Sequence, residues 1–403
     1  MMDSAAVSNG DPMDKGNKSS DSKVSRNYIN DDLAFYVLSK LGIKSLKRFG
    51  CVRKSWSILF DNSHFMTMFR NHFISHHGSD YDHTFLVIKH LELPVTPDYR
   101  YHDEVHFLEN RLKLKLPPPF EEDDGDLSIV GRTSVNGIFC IGQGDVRKKK
   151  ARYVLWNPAT EEFVVIPPSP EESLSENPNM EVSHDFHGFG YDQVGNDFKV
   201  LQYVSFERFD RRSRQLRLCE IYSLKTNSWR IADMDFSQWF FDNAFNAKEV
   251  YMDGACHWLV FCGNTESCLV SFDLSDEVFF TTPIHGILNY YKHLVVLNGS
   301  IAIISNRDDD CFIYDISILG QLCVKESWIK LLSFSVIPSI DGSLCPIGIG
   351  KMGYVFFRKE DDELVRIDVN TQRIEEIGVK GDQSCCKIGI YKKSFFRLED
   401  IRN

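Results

Sequence analysis

A pair of histidines is the first feature of this sequence whose residue types could support chemistry. His184 and His187 lie three positions apart within the segment 183–187, and imidazole nitrogens are common zinc ligands. In a regular extended strand, residues three apart point to opposite faces of the sheet. Neither a cysteine nor an acidic residue stands at the spacing of a third ligand. We therefore predict no metal site here, and for the chain as a whole no cofactor and no catalytic residue.

An acidic run is the second candidate feature. Residues 121–126 carry five carboxylates around one glycine, a composition able to attract a cation or a basic partner. A run of like charges is more often a solvated loop, which is our prediction. The net charge of −11 in 403 residues argues against nucleic acid as the main ligand.

Two basic stretches lie between predicted strands and could bind an acidic target. Their basic residues are Arg147, Lys148, Lys149 and Lys150 in the first stretch, and Arg211 and Arg212 in the second. If both stretches lie on the same rim of the domain, they form a basic surface for a target protein. The first stretch also has the composition of a nuclear import signal, or of a hairpin tip that keeps the protein soluble, and the sequence leaves these alternatives open.

Two kinds of element must position these residues, and the first is helical. Asn30 is a good N-cap, Asp31 and Asp32 favour the first turn of a helix, and Gly42 is predicted to stop that helix after Leu41. Its apolar stripe comprises Leu33, Val37 and Leu41, with Ala34 and Leu38 beside it. A second stripe comprises Ile43, Leu46, Phe49, Val52 and Trp56, and a third short helix contains Phe65, Met68, Phe69 and Phe73. From periodicity alone, these helices are a hairpin that caps a neighbouring domain.

The second kind of element is β-strand, from about His83 onward, where the apolar residues alternate. Turn glycines recur at Gly137, Gly195, Gly254, Gly299 and Gly353. Each is followed by a bulky residue leading into a turn, at 156–158, 222–223, 272–273, 314–315 and 367–368. The spacing of the glycines is that of propeller blades. We predict a β-propeller of about six blades, one of which joins the N-terminal strands to 386–391; a seven-bladed ring and a β-sandwich stay open.

The helical segment resembles a plant F-box. The resemblance rests on Leu41-Gly42, on Ile43–Phe49 and on Cys51–Trp56. Gly42 stands where the family usually has proline, and Ile29-Asn30 stands where it usually has Leu-Pro. The resemblance implies a hairpin that docks on a Skp-type adaptor protein, and through it joins a cullin-containing ubiquitin ligase. The adaptor-binding residues that it implies are Leu33, Val37, Leu41, Leu46, Phe49, Val52 and Trp56, some of which must also form the core of the hairpin.

The β-rich part resembles the plant F-box-associated family, which includes kelch-like and S-locus F-box proteins. Three motifs carry this resemblance in the family order: Leu155–Thr160, Phe189–Asp192 and Ile221–Trp229. It implies a non-catalytic substrate receptor, whose propeller holds an unknown protein for ubiquitination. Two other functions stay open. One is a binding module that no longer recruits a ligase, a hypothesis based on Gly42 in place of the usual proline. The other is a propeller enzyme acting on small molecules.

The domain organisation follows from these patterns. Residues 1–26 lack large apolar side chains and are predicted to be a disordered tail. The helical F-box is predicted at 27–75 and the kelch-like propeller at 83–395, giving a multidomain α+β chain. The sequence shows neither a membrane-spanning apolar run nor a secretory signal. We therefore expect a cytoplasmic or nuclear protein with no membrane partner.

Overall fold

The computed structural model describes residues 30–52, 56, 58–75, 82–92, 100–118, 120, 126–145, 150–169, 180–208, 216–232, 249–262, 266–284, 292–307, 312–336, 346–359, 361–380 and 386–402. The predicted tail at 1–26 therefore lies outside the described residues, as does most of the acidic run at 121–126. Of the described helices, none combines the length and the apolar character needed to cross a bilayer.

The N-terminal part is a helical unit, defined here as residues 30–75. Its elements are α1 (Asp31–Leu38), α2 (Ile43–Gly50), a 3₁₀ turn (Leu59–Asp61) and α3 (Ser63–Ser75). The Asn30 side chain accepts a hydrogen bond from the Asp32 N–H at 3.1 Å, so the predicted N-cap is confirmed. Asn62 caps α3 in the same way, through the Phe65 N–H at 2.9 Å.

The predicted end of α1 is wrong by three residues. The helix ends at Leu38, because the N–H groups of Lys40 and Leu41 turn back to the carbonyls of Val37 and Leu38, three residues earlier, and tighten the last turn. Gly42 consequently does not terminate α1. It is the N-cap residue of α2, and its carbonyl accepts the N–H groups of Ser45 and Leu46.

The β-rich part consists of six four-stranded blades among the described residues. Blade 1 comprises β1 (Asp82–Glu92), β2 (Arg100–Phe107), β3 (Leu112–Lys113) and the last strand, β24 (Lys387–Lys392). Blade 2 comprises β4 (Asp126–Val135), β5 (Ile138–Asp145), β6 (Lys150–Trp156) and β7 (Phe163–Val165). Blade 3 comprises β8 (Met180–Asp192), β9 (Asp197–Arg208), β10 (Leu216–Ser223) and β11 (Ser228–Ala232).

The other three blades follow the same order from the axis outward. Blade 4 comprises β12 (Val250–Met252), β13 (Ala255–Cys262), β14 (Glu266–Asp273) and β15 (Val278–Pro283). Blade 5 comprises β16 (Lys292–Leu297), β17 (Ser300–Asn306), β18 (Ile313–Leu319) and β19 (Trp328–Ser335). Blade 6 comprises β20 (Gly348–Ile349), β21 (Val355–Arg358), β22 (Glu363–Ile367) and β23 (Ile374–Lys380).

The two ends of the β-rich part meet in blade 1, as the sequence predicted. β24 pairs antiparallel with β1, with Phe85 opposite Gly389, and its Ile390 pairs in parallel with Thr133 of β4. The Tyr391 ring of β24 stacks between Phe107 of blade 1 and Phe139 of blade 2, with a distance of 5.3 Å between ring centroids in both contacts. This closure excludes the β-sandwich, and the six blades exclude the seven-bladed ring.

Tight turns join the first and second strands of most blades. Asn136-Gly137, Asp253-Gly254 and Asn298-Gly299 have positive φ at both residues, which is the geometry of a type I′ hairpin. Met352-Gly353 also has positive φ at both residues, within a longer turn that the Gly350 N–H closes by donating to the Tyr354 carbonyl at 2.9 Å. The predicted turns at these four glycines are confirmed. At Gly195 the turn is longer: Asp192 accepts the N–H groups of Val194 and Gly195, and Asn196 has the positive φ.

Four of the five predicted bulky anchors lie at the ends of third strands, but the one at 314–315 does not. Tyr314 and Asp315 lie near the start of β18, which continues to Leu319 because Tyr314, Ile316 and Ile318 alternate into the core. Asp315 is tolerated within the strand because Lys330 pairs with it at 2.8 Å.

The C-terminal segment packs against blades 2 and 3 beyond the predicted propeller end at 395. Leu398 and Ile401, the latter in α4 (Glu399–Arg402), are buried in the core that these two blades share. The Asn157 side chain donates hydrogen bonds to the carbonyls of Ser394 and Phe396, at 3.0 and 2.9 Å. These hydrogen bonds attach the segment after β24 to blade 2.

Glu249 is a buried carboxyl group at the meeting point of three blades. It precedes β12 of blade 4 and accepts the N–H of Phe189 in blade 3 at 2.6 Å. Burial raises its pKa to about 8, although hydrogen bonds from the Phe189 N–H, Cys256 and the Gly131 N–H of blade 2 oppose the shift. The folded chain therefore holds this carboxyl protonated at neutral pH, while the unfolded chain ionises it near its ordinary value.

We predict that Glu249 makes the fold less stable as pH rises. Because its folded pKa lies above its unfolded pKa, its contribution is fully present below pH ~4.3 and is lost as pH rises through about 8. Glu249→Gln should remove this dependence. The free energy of unfolding of the wild type, relative to that of the variant, should therefore fall between pH 5 and pH 8. Urea denaturation across that range measures the difference. A difference that does not change with pH would contradict the assignment.

Candidate functional site

The axis of the propeller is filled by a side chain. A bulge in β4 between Val130 and Val135 places Arg132 at a positive φ, and its guanidinium reaches across the ring to blade 5. There Nη1 lies 2.7 Å from Nε2 of His293, and Nη1 also donates to the Ile347 carbonyl at 3.4 Å. The cavity that remains beside these residues has a volume of about 20 Å³, which is room for about one water molecule. This cavity is too small for the substrate of a small-molecule enzyme.

The histidine pair of the sequence lies in β8, where the strand is not regular. A register shift places His184 opposite Val204 and Phe186 opposite Tyr203, so one extra residue is inserted between them. The alternation of faces expected for a regular strand is therefore interrupted between the two histidines. Within the described part of the chain, no group of three histidine, cysteine or acidic residues is placed to hold a metal ion.

The helical unit carries a group of exposed apolar side chains. Leu33 and Val37 of α1 are 56% and 51% exposed, and Val52 after α2 is 71% exposed. We define the exposed apolar group as Leu33, Tyr36, Val37, Phe49, Val52 and Ile58. Four of its six members were predicted from the sequence. Tyr36 was missed although its spacing from Leu33 places it on the same stripe, and Ile58 was missed because it lies outside any periodic segment.

The other three predicted adaptor residues face inward. Leu46 is 1% exposed and belongs to the core, so the prediction that it contacts a partner is not supported by its position. Leu41 and Trp56 are partly buried and pack against the same core, and the Trp56 ring makes an edge contact with Phe49, with centroids 6.1 Å apart. Of these three side chains, Trp56 therefore links the core to the exposed apolar group through Phe49.

The connections between strands divide the propeller into two ends. We call the turn end the one that carries the first-to-second and third-to-fourth connections, and the loop end the opposite one. Cross-blade contacts place these turns together: the Ser275 hydroxyl, in a third-to-fourth turn of blade 4, donates to Asp192 at the end of β8, at 2.6 Å. Arg397, which follows β24, pairs with Glu162 between β6 and β7 at 3.1 Å.

The helical unit lies at the turn end. The Asn298 side chain, in the first-to-second turn of blade 5, donates a hydrogen bond to the carbonyl of Phe73 in α3. Helix α3 also contacts β19 and the 3₁₀ turn Lys351–Gly353, which joins β20 to β21. The loop end is therefore the end of the propeller away from the helical unit.

The described strand ends that flank the predicted target-binding residues lie at the loop end. Arg147, Lys148, Lys149, Arg211 and Arg212 lie outside the described residues, and of Lys150 only the backbone, at the start of β6, is described. The flanking strand ends belong to second-to-third connections of the neighbouring blades 2 and 3. Both basic stretches therefore connect strands at the same end of the ring, which is the condition that their prediction as one surface requires.

The fold and these surfaces define a closed β-propeller protein with an N-terminal helical unit. Residues 96–396 match the family described as the F-box associated beta propeller domain. The chain belongs to this family, and it is a plant F-box protein of the F-box and F-box/kelch-repeat group.

Individual relatives are distant in sequence. The chain is 23% identical to "Putative F-box protein At3g16210" of Arabidopsis thaliana, over 64% of this chain and 61% of that protein. It is 24% identical to "F-box/kelch-repeat protein At3g23880" of the same plant, over 78% of this chain and 80% of that protein. Among solved structures, TolB from Acinetobacter baumannii is similar with a TM-score of 0.47 and 12% identity, over 78% of this chain and 67% of that one.

The motifs that carried the resemblance have structural roles. Gly190 has no space for a side chain, because a Cβ would meet Tyr251 and Leu274 within 2.5 Å. Asp192 pairs with the buried Lys199 at 2.9 Å, and Lys199 also pairs with Glu277 of blade 4 at 2.9 Å. The motif Phe189–Asp192 therefore joins blade 3 to blade 4.

Gly42 is compatible with the proline that the family usually has. Its φ of −61° and ψ of 149° are values that proline adopts, and no atom lies within 4 Å of the position of an added Cβ. The departure therefore does not reshape the connection between α1 and α2. This compatibility with proline weakens the hypothesis of an F-box that no longer recruits a ligase, because that hypothesis was based on Gly42.

We predict that Gly42→Pro stabilises the chain by about 0.4–1 kcal/mol, because proline restricts the unfolded state without changing the folded one. The free energy of unfolding from urea denaturation measures this. Gly254→Pro is the matched control: its Cβ position is equally open, but its φ of +82° excludes proline, so this variant should be destabilised. Destabilisation by Gly42→Pro would show that the connection needs the Gly42 N–H or a conformation of Leu41 that proline forbids.

Proposed function

We propose that this protein is the substrate-recognition subunit of a Skp–cullin–F-box ubiquitin ligase. The helical unit binds a Skp-type adaptor and through it a cullin, and the propeller binds a protein target for ubiquitination. The chain supplies no catalytic residue of its own. The observation that carries the proposal is the exposed apolar group on a folded, well-packed helical unit of a chain in the F-box-associated family.

The exposed apolar group has the properties of an interface. Leu33, Tyr36 and Val37 are at least half exposed at helical spacing on α1, beside the buried Ala34 and Leu38, so one helix presents separate faces to the core and to a partner. A few large apolar side chains carry most of the energy in interfaces of this kind. Of the predicted residues, Leu33, Val37, Phe49 and Val52 are the ones in a position to contact the adaptor.

The target is proposed to bind at the loop end, away from the adaptor. Arg147, Lys148, Lys149, Lys150, Arg211 and Arg212 would give this end a basic surface within an acidic protein, and opposite charge steers association. The target would then present acidic groups. A cytoplasmic or nuclear location follows from this role, because that is where its proposed partners act.

A binding module that does not recruit a ligase is the second candidate function. It would use the same propeller surface but leave the exposed apolar group without a partner. Apolar side chains scattered singly on a surface are common, so their exposure alone does not decide between the two functions. Direct measurement of adaptor binding does.

We predict that Leu33→Ala combined with Val37→Ala weakens adaptor binding at least tenfold, because each side chain would lose an interface contact worth about 1 kcal/mol or more. A pull-down of the purified chain with a Skp-type adaptor measures the loss. Both side chains are half exposed in the free chain, so the melting temperature should change little. Ile231→Ala with Val278→Ala is the matched control, since these side chains are about equally exposed on the outer strands β11 and β15. Equal binding by both double variants would contradict the proposal.

We predict that reversing the charge of Arg147, Lys148, Lys149, Arg211 and Arg212 to Glu removes the target and leaves the adaptor bound. Proteins that co-purify with the chain from a plant extract are compared by mass spectrometry with those of the wild type. Glu substitutions at Lys225, Arg373 and Lys393, which lie at the turn end, are the control. An unchanged set of co-purifying proteins would remove these residues from the target surface.

A further inference from the structure

The helical unit and the propeller share one hydrophobic core. Phe65, Phe69 and Phe73, at successive turns of α3, are almost fully buried. They belong to a continuous apolar cluster that also contains Leu297 and Phe334 of blade 5, Val336 beyond it, and Ile349, Val355 and Phe357 of blade 6. A separate domain would bury its own apolar residues among themselves. Here the buried side chains of the three helices continue the apolar core of blades 5 and 6.

A polar contact fixes the end of α3 to the same two blades. The carbonyl of Phe73 lies in the last turn of α3. The Asn298 side chain donates to this carbonyl from the first-to-second turn of blade 5. A side chain of the propeller thereby contributes a hydrogen bond to the C-terminal turn of the helix.

The turn can form without asparagine, whereas the contact with Phe73 needs the asparagine side chain as donor. Asn136-Gly137 forms the same turn in blade 2, where the Asn136 side chain is exposed, and Asp253-Gly254 forms it in blade 4. Asparagine and aspartate both tolerate the positive φ of this position. An aspartate at 298 would therefore keep the turn, but it would lose the donor and place a carboxylate against the Phe73 carbonyl.

We propose that blades 5 and 6 complete the adaptor-binding unit, with Asn298 as a positioning residue, so that adaptor binding and propeller stability are thermodynamically coupled. The folded helical unit requires intact blades 5 and 6. By reciprocity, an adaptor that binds only the folded helical unit stabilises those blades. The coupling to the adaptor rests on the proposed function, whereas the shared folding does not.

The first test uses the full chain without any partner. Amide hydrogen exchange of α3 is compared in the wild type, in Asn298→Asp and in the matched control Asn136→Asp. We expect exchange of amides 67–75 to accelerate about tenfold in Asn298→Asp, because losing the hydrogen bond from residue 298 and placing a carboxylate against the Phe73 carbonyl together cost about 1–1.5 kcal/mol. Asn136→Asp should leave these amides unchanged. Equal protection of α3 in the two variants would overturn the proposal.

A milder substitution guards against a variant that does not fold. Asn298→Gly removes the side-chain donor, keeps the positive φ and adds no charge. It should accelerate exchange in α3 less than Asn298→Asp does, and leave blades 2 and 3 unaffected. A general structural defect would instead accelerate exchange in all blades, and that result would also overturn the proposal.

The second test adds a purified Skp-type adaptor. We expect adaptor binding to slow exchange in β16–β21 of blades 5 and 6 but not in β5–β10 of blades 2 and 3, and Asn298→Asp to bind the adaptor several-fold more weakly than Asn136→Asp. An adaptor footprint confined to residues 30–75 would contradict the coupling. If the wild type binds no adaptor, the proposed function fails, and the exchange of α3 without partner still decides whether the core is shared.

Discussion

The pairing of β24 with β1 holds the ring closed, and the packing of the inner strands follows from that closure. β24 lies so near to β4 that a Cβ on Gly389 would come within 1.9 Å of the Arg132 carbonyl, and one on Gly348 would come within 2.4 Å of the Ile388 carbonyl. Backbone therefore packs against backbone around the axis, and the Arg132 side chain occupies the space that is left. The proposed binding surfaces accordingly lie at the two ends of the propeller and not at its axis.

The two ends differ in what they carry. Short turns with positive φ and side-chain caps make the turn end compact, and this end supports the helical unit and the C-terminal segment. The connections between blades belong to the loop end. Loops on a rigid scaffold vary without cost to the core, which is why binding specificity so often lies there. Adaptor and target would then occupy opposite ends of one rigid body.

Much of this architecture was predictable because local rules fix it. The Asn-Gly and Asp-Gly turns, the capping by Asn30 and the shared blade 1 all follow from short patterns in the sequence. The turn predicted at 314–315 was wrong because a longer-range contact overrides the local pattern: Asp315 stays within a strand because Lys330 neutralises it. The apolar stripes of the helical unit did not reveal which side chains face the propeller, because helical spacing does not distinguish one buried face from another.

Calorimetric titration of a purified Skp-type adaptor into the full chain at several temperatures tests the central claim most directly. The exposed apolar group predicts a saturable one-to-one complex whose binding enthalpy becomes more negative as temperature rises, because burial of apolar surface lowers the heat capacity. The absence of both binding heat and a complex in gel filtration would contradict the role of this chain as a ligase receptor.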